Sequence, residues 1–276
     1  MGPKRTRFPS DRLRALRQYS AFHSAIHLQS TSVCEGKIIS MQNITGNMPR
    51  VEGVGTALPS NYVSQESLFT ALRDYWAERG ARLDGFDRLH KATKVSGRYL
   101  ALPMIEYRAL DSFERSNNVW IRVASEIGSE AARNALSLAG VAAEEVDHLF
   151  LVTGTGIATP SIDSRIIATL GLRTDVKRTP IFGLGCAGGA AGIARAADYL
   201  RAFSNENALL IAVELCSLTL QHGDISVANM IASGLFGDGA AAGVISGGAS
   251  GDRVGPQVVA SRSILYPNTE TLMAGR

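Results

Sequence analysis

One cysteine is placed where it could act as a nucleophile. Cys186 lies in the segment GCAGG (185–189), between an apolar stretch ending at Leu184 and an alanine-rich stretch beginning at Ala190. This pattern predicts a sharp turn from a strand into a helix, the arrangement of the Gly-x-Ser-x-Gly elbow of hydrolases with sulfur in place of oxygen. A helix N-terminus stabilises a thiolate, and small neighbours leave room for a bulky thioester. The alternative is a buried structural cysteine in a tight turn.

The remaining cysteines and histidines fit such a site less well. Cys216 follows a near-continuous apolar stretch and is expected in the core, whereas Cys34 lies in a segment without pattern. The five histidines are predicted to lie elsewhere: His23 and His27 in the N-terminal segment, His90 in a loop, His148 at the start of a buried strand and His222 in a solvated polar turn. No metal-ligand spacing, phosphate loop or dinucleotide fingerprint is present, so we expect no metal and no cofactor.

Composition is that of a globular protein with a large core. The 276 residues are 45% hydrophobic and 19% charged, and no apolar run is long enough for a membrane span. Three cysteines do not form a disulfide framework, which favours a reducing, cytoplasmic compartment. The excess of Lys and Arg is confined to residues 1–47, with seven basic and two acidic side chains. The rest is slightly acidic, so we predict no nucleic-acid surface.

Residues 1–47 form an extension distinct from the remainder of the chain. They are rich in Arg and Ser, poor in acids and without periodicity, which fits a transit-type targeting peptide. The second interpretation is a disordered tail, or an over-extended start with initiation at Met41 or Met48. We favour this second interpretation because patterned sequence begins abruptly at residue 49. A domain is therefore predicted over 48–276.

Strands and helices alternate along this domain. Strands are predicted at 51–58, 147–153, 181–184, 208–215 and 240–245, and helices at 64–79, 116–139, 161–170, 190–203 and 227–235, with a loop from 80 to 97. Strands that are apolar throughout and alternate with helices predict an α/β fold with a mostly parallel sheet covered on both faces.

Five segments, taken together, resemble the type III polyketide synthases, the chalcone and stilbene synthase family of the thiolase-like superfamily. These segments are DHLFLVTGTG (147–156), LGLR with VKR (170–178), GCAGG (185–189), VELCSL (213–218) and LFGDGAA (235–241). Each is weak alone, but their order and spacing over 51–273 match the family. The resemblance implies the αβαβα layered thiolase-like fold, of which this chain would be the first half of a duplicated fold.

The resemblance also implies the chemistry. Cys186 would take a starter acyl group from a coenzyme A thioester, and malonyl-CoA would then extend it by decarboxylative condensation. The substrates would be an acyl-CoA starter and malonyl-CoA, and the enzyme would be an acyltransferase acting as a homodimer.

Further residues receive roles only by this resemblance. Phe236 would be the gate between a CoA tunnel and the cavity, and Asp238 would shape the turn that follows. The other implied positions are Gly154, Cys216, Thr219 and Ala232 in the cavity wall, and Lys91 and Arg88 at the CoA phosphates. Plant members have threonine at the positions of Gly154 and Cys216, so this cavity would be less polar than theirs. The segment ELCSL (214–218) resembles the bacterial branch, some of whose members accept fatty acyl starters.

The family completes its site with a histidine and an asparagine from its second half. The sequence up to Arg276 offers no obvious pair, so we expect the C-terminal domain to be absent from this chain. Two consequences are expected. Apolar surface should be uncovered, and condensation by this chain alone should be slowed, since lost oxyanion stabilisation costs roughly 10²–10³ in rate.

Two other interpretations stay open at this point. A ketoacyl synthase III-like condensing enzyme of fatty-acid synthesis shares the fold and the cysteine, but would usually take a carrier-protein substrate. A non-catalytic truncated relic is the other, and the reading frame beyond Arg276 would distinguish it from a split gene.

Overall fold

The computed structural model describes residues 48–249 and 254–269. The strands there are β1 (Arg50–Ala57), β2 (Asn61–Ser64), β3 (Gly97–Leu100), β4 (His148–Thr153), β5 (Lys177–Phe182), β6 (Asn207–Leu215) and β7 (Asp238–Ser246). The α-helices there are α1 (Gln65–Glu78), α2 (Phe86–Ala92), α3 (Phe113–Ala139), α4 (Asp163–Leu170), α5 (Gly188–Ala202) and α6 (Val227–Leu235). The predicted extension, 1–47, lies outside the described residues.

The main sheet has five strands in the order β1-β7-β6-β4-β5. β4 pairs in parallel with both β5 and β6, and β7 runs antiparallel to both β6 and β1. Four of the five strands therefore point the same way. All six residues of the central strand β4 are buried, as expected for a strand covered on both faces. The predicted mostly parallel sheet is confirmed.

Helix α3 covers one face of the sheet. Its predicted apolar repeat is buried at Val123, Ile127, Ala131 and Ala135, and packs on β1, β6 and β7. Ser112 caps its N-terminus by accepting the Arg115 N–H, so the helix begins three residues earlier than predicted. An amphipathic helix of this length gains most of its stability from that buried stripe.

Helix α5 covers the opposite face. Ala196, Ala197 and Leu200 are fully buried, and the first and last of these pack against Phe150 of β4 and its neighbours. Ile193, one turn closer to the N-terminus than Ala197, is 38% exposed.

The predicted loop over 80–97 is wrong. It contains α2, and its end forms β3, which pairs with β2 in a separate two-stranded sheet. Phe86 of α2 is buried in a small second core with Leu68, Trp76 and Met230. A seven-residue helix has little stability alone, so this packing, which local sequence does not reveal, accounts for it.

Apolar side chains are left uncovered near the end of β5. Phe182 is 61% exposed and Leu184 is 49% exposed, and Ile193 on α5 is also exposed. That a second half covers these particular side chains stays a prediction. Among the described helices, none is long and apolar enough to cross a bilayer.

Candidate active site

The parallel arrangement brings the candidate residues to one edge of the sheet. Gly154 follows the end of β4, Cys186 follows β5 and Cys216 follows β6, while β7 begins just after Phe236 because it runs the other way. Carboxyl ends of adjacent parallel strands share an edge, which is where α/β sheets bind ligands. Residues up to 82 positions apart in sequence, from Gly154 to Phe236, thus lie at the same edge of the main sheet.

Cys186 occupies the predicted turn between strand and helix. A 3₁₀ turn spans Gly185–Ala187, and α5 begins at the next residue. Gly185 has φ +51°, a left-handed conformation that favours glycine, and this lets the chain reverse sharply after β5. The side chain of Cys186 is exposed, which does not fit the buried structural alternative. Its catalytic role stays a prediction.

Cys216 presents a contrasting environment. It begins the 3₁₀ turn Cys216–Thr219 after β6 and is half-buried. Burial raises the pKa of its thiol to about 12, and the negative charges of Asp238, Glu214 and Cys186 add to this increase. A thiol held neutral in this way is a weak nucleophile. Cys186 itself is not among the residues that line the cavity to which Cys216 belongs.

A first cavity, of about 230 Å³, contains four of the five residues predicted to line the substrate site. They are Cys216, Thr219, Ala232 and Phe236. Its opposite wall comes from α1 and from the 3₁₀ turn Met104–Ala109, and much of the wall is apolar. The apolar members include Leu68, Leu72, Leu100, Met104 and Leu220.

A second cavity, of about 610 Å³, contains Gly154 and shares Thr219 with the first. The loop after β4 forms one wall. Its Gly156 has no room for a side chain, because a Cβ there would lie 2.0 Å from the Trp120 ring. The N–H of Gly154 donates to Glu214 Oε2 at 3.1 Å, so this carboxylate faces the loop.

Arg88 and Lys91 are exposed on α2, and neither is among the residues that line the two cavities. Their positively charged ends are therefore free to meet a phosphate at the surface. Their predicted contact with CoA stays a prediction. No group of metal-ligating side chains occurs among residues 48–249 and 254–269.

A buried network around Asp238 supports the first cavity. Asp238 accepts hydrogen bonds from the N–H of Ala101 (2.6 Å), from the N–H of Ser217 (2.8 Å) and from the Ser217 hydroxyl. Tyr107 is hydrogen-bonded to the same hydroxyl at 2.6 Å. Burial raises the pKa of Asp238, and these donors oppose the increase. The carboxylate thereby holds the turn that carries Cys216.

Sequence reasoning missed Arg98. It is 6% exposed and donates to the carbonyls of Phe236 (2.6 Å), Ser233 (3.2 Å) and Gly234, and to the side chain of Gln65. A guanidinium at a helix C-terminus satisfies carbonyls that lack helical partners. Arg98 thus fixes the end of α6, from which Phe236 follows. A lone arginine in a short strand gives no local signal of this role.

Two predictions for the histidines are wrong. His90 lies on α2 rather than in a loop, and it is buried with its ring centroid 4.3 Å from that of Phe86. His222 is half-buried rather than solvated: it lines both cavities and is hydrogen-bonded to the hydroxyl of Tyr75. The His90 ring packs against Phe69 of α1 and Phe86 of α2, and the His222 ring packs against Tyr75 of α1, contacts that the local sequence does not show.

His148 lies at the start of a buried strand, as predicted, and its ring is hydrogen-bonded through one nitrogen only. It starts β4, and its Nε2 is hydrogen-bonded to Thr179 Oγ1 at 2.8 Å across the sheet. Its Nδ1 is buried without a hydrogen-bond partner. Burial lowers the pKa of His148, and nearby Lys177 lowers it further.

Comparison with known proteins agrees with this geometry. The family model described as "Chalcone and stilbene synthases, N-terminal domain" matches residues 39–249. A 1,3,6,8-tetrahydroxynaphthalene synthase of Streptomyces peucetius subsp. caesius is 46% identical over 228 residues, covering 82% of this chain and 60% of the relative. A putative chalcone synthase of Bacillus subtilis (strain 168) is 34% identical over 236 residues, covering 82% and 65%.

A solved structure gives the same result. The crystal structure of 1,3,6,8-tetrahydroxynaphthalene synthase from Streptomyces coelicolor A3(2), a bacterial type III polyketide synthase, superposes with a TM-score of 0.73 at 32% identity. The match covers 80% of this chain and 62% of that one. The chain thus spans about three fifths of the length of the relatives that it matches. Because the family model, the relatives and the fold agree, this chain belongs to the chalcone and stilbene synthase family.

Proposed function

We propose that this chain carries the nucleophile of a type III polyketide synthase, an acyltransferase that loads a starter acyl group from CoA onto Cys186 and extends it with malonyl-CoA. The observation that carries the proposal is the exposed thiol of Cys186 in the turn before α5, within the part matched by the family. The similar proteins named as polyketide synthases support it. The ketoacyl synthase III-like alternative is not favoured by these relatives.

The loading step is a thioester exchange. The thiolate of Cys186 attacks the thioester carbonyl carbon, the carbon–sulfur bond to CoA breaks, and CoA leaves and takes up a proton. Malonyl-CoA then loses CO₂, and its enolate forms a carbon–carbon bond with the enzyme-bound acyl carbon while the Cys186 sulfur leaves. Small neighbours at 187–189 let the thioester approach, and the backbone N–H groups of the turn can face the developing oxyanion.

The first cavity supports an apolar acyl starter. Its wall includes Leu68, Leu72 and Met104, and the neutral Cys216 thiol adds little polarity. Phe236, 45% exposed where α6 ends, fits a gate at the mouth of this cavity. The starter's alkyl chain would gain free energy by burying its methylenes there, about 0.8 kcal/mol each.

Acyl loading tests the proposal directly. The protein is incubated with an acyl-CoA, and intact-protein mass is measured, followed by peptide mapping. We expect one acyl adduct on Cys186, absent from Cys186→Ala and retained in the matched control Cys216→Ala. An adduct that persists in Cys186→Ala would refute the assignment.

A condensation assay tests which malonyl thioester the enzyme uses to extend the acyl chain. We expect products from free malonyl-CoA rather than from malonyl-carrier protein. Products that form only from malonyl-carrier protein would favour the ketoacyl synthase III-like alternative.

We also propose a cytoplasmic homodimer without nucleic-acid partners, and CoA phosphate contacts by Arg88 and Lys91. The charge of these two exposed side chains supports the last point. Light scattering after size-exclusion chromatography measures the oligomeric state. The variant Lys91→Ala should raise the acyl-CoA concentration needed for half-maximal loading.

A further inference from the structure

Phe236 lies where α6 ends and the first cavity meets solvent. The helix ends at Leu235, Phe236 takes an extended conformation, and β7 begins two residues later. Phe236 is 45% exposed and also lines the first cavity, together with the half-buried Cys216. The wall of this cavity is mixed, with apolar side chains beside the charged ones of Asp74, Arg98 and Arg108. Phe236 therefore stands at the boundary between the cavity and solvent.

Arg98, on β3, binds the backbone at the end of α6. Its guanidinium donates to the carbonyls of Phe236 (2.6 Å), Ser233 (3.2 Å) and Gly234. The last carbonyls of a helix have no partner within the helix, so the oxygens of Ser233 and Gly234 depend on a donor from outside α6. Because Arg98 is buried, this donor is held by its protein neighbours rather than by solvent.

Gln65, the first residue of α1, fixes the guanidinium from the other side. Its side-chain oxygen accepts a hydrogen bond from Arg98, and its side-chain nitrogen donates to the Gly234 carbonyl at 3.0 Å. Its backbone N–H donates to the carbonyl of Ser96, next to β3, at 2.9 Å. Gln65 and Arg98, called the clamp below, thus join α1 and β3 to the end of α6.

The backbone that follows Phe236 is fastened to the same part of the protein. Asp238 accepts a hydrogen bond from the N–H of Ala101, just beyond β3, at 2.6 Å. A Cβ at Gly237 would lie 3.1 Å from the Cβ of Arg98, so the two segments pass close to each other. The backbone of residues 236–238 is therefore fixed against the end of β3. Rotation of the side chain is the main freedom left to Phe236.

We propose that the clamp of Gln65 and Arg98 positions Phe236 as a lid that limits the size of the molecules able to enter the first cavity. When the clamp is weakened, the end of α6 loses its bonds to α1 and β3, and the ring moves away from the opening more often. Bulky molecules then enter more readily, whereas molecules small enough to pass the ring gain little. Gln65 and Arg98 are positioning residues, because they act through Phe236. The inference rests on the proposed gate at Phe236 but does not require that Cys186 is acylated.

Cys216 reports entry into the cavity, because it belongs to the wall. The full chain carrying Cys186→Ser is treated at about pH 9, where more of the thiol is ionised, with small iodoacetamide or with bulky N-(1-pyrenyl)maleimide. Peptide mapping gives the rate constant of Cys216 for each reagent. The quantity compared is the ratio of the bulky to the small rate constant, since a change in the pKa of the thiol affects both reagents alike.

Two variants weaken the clamp and one removes the lid. Gln65→Leu loses the acceptor for Arg98, and Arg98→Lys keeps the charge but loses the forked geometry. Phe236→Ala removes the ring. Gln257→Leu, at an exposed glutamine that lines neither cavity, is the matched control. Circular dichroism and urea unfolding confirm that each variant is folded.

We expect Gln65→Leu to raise the ratio about fivefold, which corresponds to about 1 kcal/mol, the net contribution of one hydrogen bond. Arg98→Lys should act in the same direction, Phe236→Ala should raise the ratio at least as much, and Gln257→Leu should leave it unchanged. In protein that already carries Phe236→Ala, Gln65→Leu should add little, because two changes that act through one ring are not additive.

The outcomes separate the clamp from the gate. If Phe236→Ala raises the ratio while Gln65→Leu and Arg98→Lys do not, the inference about the clamp is wrong and the gate stands. If Gln65→Leu has its full effect even without the Phe236 ring, the clamp has a merely structural role and the inference is again overturned. If Phe236→Ala leaves the ratio unchanged, the proposed gate itself is refuted.

Discussion

Alkylation should separate Cys186 from Cys216, because the first thiol is exposed and the second is half-buried beside two carboxylates. The perturbation is treatment of the folded protein with iodoacetamide, which reacts with thiolates and hardly with thiols. We expect carboxamidomethylation of Cys186 while Cys216 stays free. The same difference explains why only one of the two is suited to accept an acyl group.

The magnitude follows from the raised pKa of Cys216. At about pH 8, a thiol with a pKa of about 12 is ionised to roughly one part in ten thousand, whereas a thiol at the ordinary 9.0 is ionised to about one part in ten. The rate for Cys216 should thus be lower by about a thousandfold than that of an ordinary exposed thiol. It should also rise about tenfold for each pH unit until the protein unfolds.

The assay is a time course of alkylation with quantification of each cysteine by peptide mapping, and N-acetylcysteine reacting in parallel gives the reference rate. Cys186→Ser is the matched variant, in which Cys216 must remain unreactive. Alkylation of Cys216 at a rate close to the reference, in protein shown to be folded, would refute the argument that burial controls this thiol.

Three further predictions concern stability, measured by urea unfolding. Gly156→Ala should destabilise the fold by about 1–3 kcal/mol, because the new Cβ would overlap the buried Trp120 ring. Arg178→Met should cost roughly 3 kcal/mol, since it leaves the fully buried Asp163 without the cation that now pairs with it at 2.7 Å. Burial lowers the pKa of His148 below its ordinary value, so the unfolded state binds more protons and stability should fall as pH falls below about 6.5.

Each of these has its own control. Gly189→Ala places a Cβ in open space and should not lower the free energy of unfolding. Arg122→Met removes an exposed ion pair with Glu126 that is worth at most about 0.5 kcal/mol. His148→Gln should reduce the pH slope without abolishing it, because burial also lowers the pKa of His90. Equal effects of Gly156→Ala and Gly189→Ala, or of the two arginine variants, would contradict the packing and pairing arguments. A pH profile unchanged by His148→Gln would contradict the third.

The elements of the main sheet could be predicted where the signal is local. The apolar stretches of β4 and β6 are buried on both faces of the sheet and the four-residue repeat of α3 buries one face of the helix, so the pattern of residues specifies the element. The turn at Cys186 could also be predicted from local sequence, because glycine and alanine surround the cysteine. By contrast, α2 could not be predicted, since its stability depends on packing Phe86 against α1 and α6 rather than on its own seven residues.

The same distinction between local signals and tertiary packing applies to the candidate site. The sequence by itself determined the family, the candidate nucleophile and the strand ends that carry the predicted cavity residues, because these depend on short patterns. Only the tertiary structure decided the partners. Tyr75 meets His222 across 147 positions and Arg98 meets the Phe236 carbonyl across 138, and such contacts form when helices pack. The high pKa of Cys216 has the same origin, since burial is a property of the fold and not of the residue.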